Sequence, residues 1–417
     1  MHVPADPNWL SHGIFTLGFM EDGSRISADS KGELPSPGIG MSHADIFWMI
    51  TNFEMGGTEH QFSILAKNFD TSQFRLRVGC ASRRGPFGVD FALAPEFPLG
   101  GSLYGWQSMM TRLRLSRYLR THGVRVAHAF DFYVNLTLIP AARLGRIPVV
   151  IGSHRQIGDV MTKAQFSAQA IAFRWCDAVV CNSHAAAERL AEAGLPRRRL
   201  QVIGNALLPS SFRGTVPAFP RRVPDMLRVG MVARMNAQYK NHAGFLRIAA
   251  EVRRHKPGAE FLLVGDGPLR PELEKQAASL GLERSVTFCG ERRDIAAVLA
   301  SIDVAVLTSD SESLSNAILE AMASGRPVVA YDVGGNAELI NNERGILVPA
   351  GDETQFAAAV LRLMTDIDLR TMLGIKARQF ADENFGLEQV RKQYEKLYAR
   401  LLVEKGQPIR VASEESR

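Results

Sequence analysis

The chain has 417 residues, of which 46% are hydrophobic and 22% are charged, and its formal net charge is +6. This length allows two or three domains, and the composition is that of a globular protein rather than a disordered one. No apolar run reaches the roughly 18 residues of a membrane-spanning helix, no secretory leader pattern opens the sequence, and no known nucleic-acid-binding motif is found.

The cysteines do not have the spacing of a zinc site or a redox motif. They are Cys80, Cys176, Cys181 and Cys289. We therefore expect reduced, mostly buried thiols in a cytoplasmic protein. The basic charge balance also allows contact with anionic lipid or with phosphate-bearing substrates. Peripheral association with the inner membrane surface stays open on this evidence.

Residues 1–42 mix Pro, Gly, Ser and Asp without a sustained hydrophobic period, which predicts a disordered extension. From Asp45 onward, short apolar runs alternate with helical stretches, which is typical of βαβ units on parallel sheets. The runs form two series: 45–50, 75–80, 124–130, 148–152, 178–181 and 200–203, then 227–232, 260–265, 285–289, 303–307, 327–331 and 345–348.

The sequence thus predicts an α/β protein with two doubly wound, Rossmann-like domains and a cleft between them. A proline-rich segment separates the two series and indicates an interdomain linker. The predicted segments are the extension 1–42, the first domain 43–208, the linker 209–226, the second domain 227–385, a final helix 386–405 and a disordered tail 406–417.

A helical stretch at Gln107–Thr121 carries arginines among apolar residues. One interpretation is a basic amphipathic helix at a membrane surface. The other is an ordinary helix that packs its apolar stripe on the sheet. We favour the second, because a helix is needed here before the next strand.

Gly56 and Gly57 follow the first core strand and open a helix. Adjacent glycines let a backbone approach a ligand closely, and a helix N-terminus favours an anion. We predict a donor-binding loop here rather than a plain strand-to-helix turn.

Two histidines end predicted strands. His154 is placed to hydrogen-bond a sugar hydroxyl and orient the reacting centre. For His128 the functional and structural interpretations are evenly balanced. Asn182 and Ser183 follow another strand, and we interpret them as a helix cap.

Arg234 and Lys240 follow the first strand of the second domain. The planar guanidinium of arginine can donate two parallel hydrogen bonds, and lysine carries a compact positive charge. Both residue types are therefore suited to bind a diphosphate. Farther along, Arg292 follows a strand and is a candidate for stacking on a nucleobase, with a solvated side chain as the equal alternative.

Glu312 and Glu320 bracket a loop that leads from a strand into a helix. Both lie at the carboxyl end of a parallel strand, where open α/β sheets bind ligands. The helix N-terminus near Leu314 and Ser315 offers free backbone N–H groups to an anion. The carboxylates can accept hydrogen bonds from sugar hydroxyls, and the amides can donate to phosphate. Together they suit a nucleotide-sugar. The alternative is a solvated helix start with a favourable dipole interaction.

Taken in order, these motifs resemble those of the retaining glycosyltransferase family 4, also called glycosyl transferases group 1. The resemblance runs from about Asp45 to about Leu402 and includes the family's E-x7-E signature at Glu312 and Glu320. It implies the GT-B fold, in which two Rossmann-like domains face each other across a cleft. It also implies a first domain for the acceptor, a second for the donor, and a last helix that crosses back to the first.

The resemblance implies transfer of a hexose-type unit from a nucleotide-diphosphate sugar to a hydroxyl of a glycan or lipid-linked acceptor. Glu312 would bind donor-sugar hydroxyls and Glu320 the ribose, while His154 would lie near the donor sugar. Arg234 and Lys240 would neutralise the leaving diphosphate, so no metal and no cofactor are expected. Two other classes stay open: a nucleotide-sugar epimerase of the same fold, and a catalytically silent subunit of a transferase complex.

Overall fold

The computed structural model describes residues 44–70, 73–158, 161–221 and 226–407. The predicted extension 1–42 and the tail beyond residue 407 lie outside these residues. The described chain forms two α/β domains, each built on a parallel sheet of six strands.

The first domain alternates strands and helices, as the apolar runs predict. Its strands are β1 (Ala44–Ile50), β2 (Phe74–Cys80), β3 (Val124–Ala129), β4 (Val149–His154), β5 (Ala178–Cys181) and β6 (Leu200–Val202). Its helices are α1 (Gly57–Lys67), α2 (Trp106–Thr121), α3 (Phe132–Leu144), α4 (Lys163–Phe173) and α5 (His184–Glu192). The strand order is β2-β1-β3-β4-β5-β6.

The second domain repeats this plan with a different strand order. Its strands are β7 (Arg228–Val232), β8 (Glu260–Val264), β9 (Val286–Phe288), β10 (Val304–Leu307), β11 (Val328–Tyr331) and β12 (Gly345–Val348). Its helices are α6 (His242–His255), α7 (Arg270–Ser279), α8 (Ile295–Ala300), α9 (Asn316–Ala323), α10 (Asn336–Leu339), α11 (Glu353–Thr365) and α12 (Ile367–Phe385). The order is β12-β11-β10-β7-β8-β9.

Strand β1 shows why continuous apolar runs form the sheet centres. Successive side chains of a strand point to opposite faces, and a parallel sheet is covered by helices on both. Trp48 accordingly packs in one core cluster, while Phe47 and Met49 pack in another. A run without polar alternation is therefore buried along its whole length.

The final helix, α13 (Leu387–Glu404), packs against the first domain rather than the second. Its apolar residues recur at helical spacing and join the cluster that contains Trp48. Tyr394 and Tyr398 are fully buried there. The chain thus crosses between the domains twice.

Helix α2 follows the favoured interpretation of its sequence in part, because Leu115 and Leu119 are fully buried in the core cluster that contains Phe47 of β1. Met109 and Leu113, two other apolar residues of this helix, are instead 48% and 46% exposed. Ser108, Thr111 and Ser116 are buried in their place. The reason is steric: α2 lies close against its neighbours, and small side chains fit that contact.

Candidate active site in the interdomain cleft

The predicted donor residues gather at the point where the second sheet reverses its strand order. β7 and β10 are neighbours in the sheet, and their outgoing connections lead to opposite sides. Such a switch point leaves a crevice at the carboxyl ends of the two strands. Arg234 and Lys240 follow β7, and Glu312 follows β10. The crevice therefore carries both predicted cations and the first predicted carboxylate.

Lys240 and Glu312 form an ion pair in this crevice. The Lys240 Nζ lies 2.6 Å from the Glu312 Oε1, with the two side chains 21% and 10% exposed. Asn241, in the left-handed conformation at φ 52°, caps α6 directly after Lys240. The Thr308 hydroxyl donates to the Asn241 carbonyl at 2.8 Å. The loop that carries the lysine is thereby tied to the end of β10.

Backbone amides lie beside this pair at the start of α9. Ser315 is the N-cap, and its hydroxyl accepts from the Ile318 N–H at 3.3 Å. Leu314 is buried. Among the described residues, the N–H groups of Leu314, Ser315 and Asn316 have no acceptor. Unpaired amides at a helix N-terminus attract an anion.

Glu320 lies just over one turn into α9 and is only partly exposed. Burial raises the pKa of its carboxyl to about 7. No ion pair or hydrogen bond to this carboxylate is found among the described residues. Glu320 is thus a recessed acceptor for hydroxyl groups, and it changes charge near neutral pH.

The first domain contributes the predicted glycine loop on the opposite wall. Gly56 is the N-cap of α1, and the Glu59 carboxylate folds over it. The Arg234 guanidinium donates to the Met55 carbonyl, so it spans the cleft. A Cβ placed on Gly57 would lie 3.2 Å from the Asn316 Nδ2. Glycine therefore permits the close approach of the two domains here.

Side-chain amides and hydroxyls join the two domains beside the glycine loop. The Asn205 Nδ2 donates to the Asn316 Oδ1 at 2.6 Å, and the Gln61 Nε2 donates to the same oxygen at 3.3 Å. The Ser313 hydroxyl donates to the Asn182 Oδ1 at 2.6 Å. Sequence reasoning missed these contacts, because nothing in the local sequence around each residue indicates a partner in the other domain.

Glu338, in the first turn of α10, binds backbone of the first domain. Its two carboxylate oxygens accept from the N–H groups of His184 and Ala185, at 2.8 and 2.9 Å. These amides belong to the N-terminus of α5 in the first domain. The helix dipole that Glu338 stabilises is therefore across the cleft. Ser183 caps the same helix, as its sequence predicts.

Among the described residues, no hydrogen bond joins His154 to the Lys240–Glu312 pair. This histidine ends β4 at 1% exposure and packs against Phe166 and Phe173. Its Nδ1 lies 3.0 Å from the Gln169 Nε2, and burial lowers its pKa to about 4. The imidazole is therefore neutral and enclosed, and its Nε2 has no hydrogen-bond partner among the described residues. Its place near the donor sugar stays a prediction.

His128 and Arg292 are likewise occupied by contacts of their own. His128 is fully buried between the hydroxyls of Tyr398 and Ser153, each at 2.8 Å. That supports the structural interpretation, in which it anchors α13. Arg292 pairs with Asp294 at 2.5 Å and lies over the Phe219 ring. A base would have to compete with both partners.

Two carboxylates in the first domain were not predicted as site residues. Asp131 caps α3 at the carboxyl end of β3, and accepts from the N–H and hydroxyl of Thr51 at 2.6 and 2.5 Å. Burial raises the pKa of both Asp131 and Glu59. For Asp131, the available signal was a polar residue two positions after the end of β3.

The two domains match two family models. Residues 55–208 match Glycosyltransferase Family 4, and residues 227–366 match Glycosyl transferases group 1. The chain is 33% identical to the lipopolysaccharide core biosynthesis glycosyltransferase LpsE of Rhizobium meliloti (strain 1021), over 58% of this chain and 68% of that protein. This chain is a family 4 glycosyltransferase.

Solved structures show that the family 4 chain has the GT-B fold expected from its sequence. Anabaena HepE, solved with UDP, superimposes with a TM-score of 0.75 at 21% identity, covering 86% of this chain and 100% of that one. The apo outer core galactosyltransferase WaaB gives a TM-score of 0.68 at 16% identity, covering 86% and 99%.

The described residues of this glycosyltransferase contain neither a candidate membrane-spanning helix nor a candidate metal-binding cluster. No helix there combines the length and apolarity needed to cross a bilayer. Nor do those residues contain a group of three or more His, Cys, Asp or Glu side chains that could hold a metal ion.

Proposed function

We propose that this glycosyltransferase moves a hexose-type sugar from a nucleotide-diphosphate sugar to a hydroxyl of a glycan or lipid-linked acceptor, with retention of configuration and without a metal. The observation that carries the proposal is the Lys240–Glu312 pair beside the unpaired amides of α9. A cation, a carboxylate and a helix N-terminus at one switch point fit the phosphate and sugar parts of such a donor.

Donor binding would break the Lys240–Glu312 ion pair, and each side chain would then contact the donor instead. The diphosphate carries more negative charge than one carboxylate, so Lys240 would turn toward it. Glu312 would then be free to accept hydrogen bonds from the donor-sugar hydroxyls. Arg234 would similarly leave the Met55 carbonyl for the phosphate. Preformed cations and amides aimed at developing charge lower the barrier more than they tighten ground-state binding.

In the retaining reaction, the acceptor hydroxyl would attack on the face from which the diphosphate departs. The bond between the sugar C1 and the phosphate oxygen breaks, and a bond between C1 and the acceptor oxygen forms. The departing phosphate oxygen takes the acceptor proton, so the protein need not supply a base. Arg234, Lys240 and the α9 amides would hold the charge that a metal holds in other transferases.

The relatives suggest which donors and acceptors to try first. Anabaena HepE was solved with UDP and with UDP-glucose, and LpsE is named for lipopolysaccharide core biosynthesis. Uridine-diphosphate sugars and polysaccharide or lipopolysaccharide acceptors are therefore the first candidates. A cytoplasmic location, where such donors would have to reach the cleft, is part of the same proposal.

The test is a panel of nucleotide-sugars screened by thermal shift, since a ligand that binds the folded state raises its stability. The stabilising donor is then incubated with candidate acceptors, with and without excess chelator. We expect acceptor-dependent release of nucleoside diphosphate, a product with the donor's anomeric configuration by NMR, and turnover that survives the chelator. Inversion at C1, or activity restored only by magnesium or manganese, would overturn the corresponding part of the proposal.

A further inference from the structure

Helix α2 presents apolar side chains to solvent that the domain core leaves uncovered. Trp106, Met109 and Leu113 are 72%, 48% and 46% exposed, and Tyr104 in the preceding loop is 78% exposed. Residues spaced by three and four lie on one face of a helix. The three helical residues therefore form one exposed apolar face at the N-terminal half of α2.

The same helix is strongly basic. It contains four arginines and no acidic residue. Arg112 is engaged, because it donates to the carbonyls of Leu103 and Leu136. Arg114, Arg117 and Arg120 are exposed, and no ion pair or hydrogen bond to their side chains is found among the described residues. Three uncompensated charges thus follow the apolar residues along one helix.

The position of α2 shows which edge of the first sheet this surface lies near. The helix ends at Thr121, shortly before β3 begins at Val124 at the amino-terminal edge of the sheet. Its 16 residues span about 24 Å, which is longer than the six-residue β3. Trp106 therefore lies toward the carboxyl ends of the strands, the edge that faces the cleft.

We propose that α2 and the Tyr104 loop bind the surface of an anionic lipid bilayer. Aromatic and aliphatic side chains would enter the headgroup boundary, and the arginines would contact lipid phosphates. Tyrosine and tryptophan favour this boundary because their rings are apolar with a polar tip. A second copy of the chain fits less well, since a two-fold contact would place arginines against arginines. The proposal does not depend on the sugar reaction.

The experiment measures partition of the full chain onto vesicles of phosphatidylcholine alone or with phosphatidylglycerol, by flotation at low and high salt. Each arginine near an anionic surface contributes about fivefold to partition. We therefore expect the variant R114Q/R117Q/R120Q to lose on the order of a hundredfold. The matched control R198Q/R213Q/K256Q removes the same charge from exposed positions elsewhere and should bind nearly as the parent does.

A second pair of variants tests the apolar face. W106S/L113S should reduce partition strongly. I171S/W175S should not, although it changes side chains exposed by 56% and 54%, one in α4 and one just after its end. Absence of binding to phosphatidylglycerol vesicles, or equal loss in the control variants, would overturn the proposal. So would a concentration-dependent dimer, seen by sedimentation, that W106S/L113S abolishes, because the face would then bind another copy.

Discussion

The ammonium of Lys240 lies 2.6 Å from the carboxylate of Glu312, with both groups largely shielded from solvent. The two residues are 72 positions apart and follow neighbouring strands. In the ligand-free protein each neutralises the other. The pair thus holds a cation and a carboxylate side by side in one crevice, as the proposed binding of a diphosphate and a sugar requires.

We predict that Lys240→Ala lowers kcat by about a hundredfold. Removing one preorganised donor to developing charge typically costs on the order of 3 kcal/mol in the barrier. Steady-state kinetics with the identified donor measure the loss, and circular dichroism verifies folding. Lys256→Ala, an exposed lysine after α6, is the control. An unchanged kcat in folded K240A would remove Lys240 from the chemistry.

Glu320→Gln should stabilise the ligand-free protein at pH 8 but not at pH 4. The folded-state pKa of about 7 lies above the ordinary value of 4.5. The folded protein then binds this proton more tightly than the unfolded chain, so stability is lost as pH rises between these values. A neutral amide removes that loss. Melting temperatures of both proteins across this range measure it, and an effect independent of pH would contradict the assigned pKa.

The donor KM of the parent enzyme should fall as pH rises through about 7. Ionised Glu320 accepts hydrogen bonds from ribose hydroxyls better than its protonated form does. Glu320→Gln should raise the KM and remove this pH dependence while leaving kcat comparatively intact, because the ribose is held equally before and during the reaction. A parent KM that is flat over pH 5.5–8.5, about one and a half units either side of that pKa, would argue against ribose binding by Glu320.

Gly335→Ala should reduce activity by displacing the loop that carries Glu312. A Cβ at Gly335 would lie 1.8 Å from the Ser313 carbonyl oxygen, and the Gly335 N–H donates to the Glu312 carbonyl at 3.0 Å. Overpacking of this kind costs roughly 1–3 kcal/mol. Thermal melting and donor KM are compared with those of Gly214→Ala, where a Cβ meets nothing within 4 Å. If the two variants had the same melting temperature and donor KM, the loop that carries Glu312 would tolerate the extra methyl group, and the prediction would be wrong.

The sequence alone determined the two-domain α/β architecture and the positions of most strands. Short continuous apolar runs that alternate with helical stretches are typical of buried parallel strands, so β1 and β10 were predicted to within a residue or so. The cations after β7 and the carboxylate after β10 were also predicted as one site, since the carboxyl ends of parallel strands meet at one edge.

Only the tertiary structure decided which of these polar residues meet across the cleft. Glu338 and Asn205 bind atoms of the other domain, and such partners depend on how two sheets are oriented rather than on any local pattern. His154 was predicted from its place at a strand end, but burial there depends on α4 packing over it. For the same reason the sequence left two interpretations of α2. Helical spacing shows which residues share a face, while only the neighbouring elements decide which face is covered.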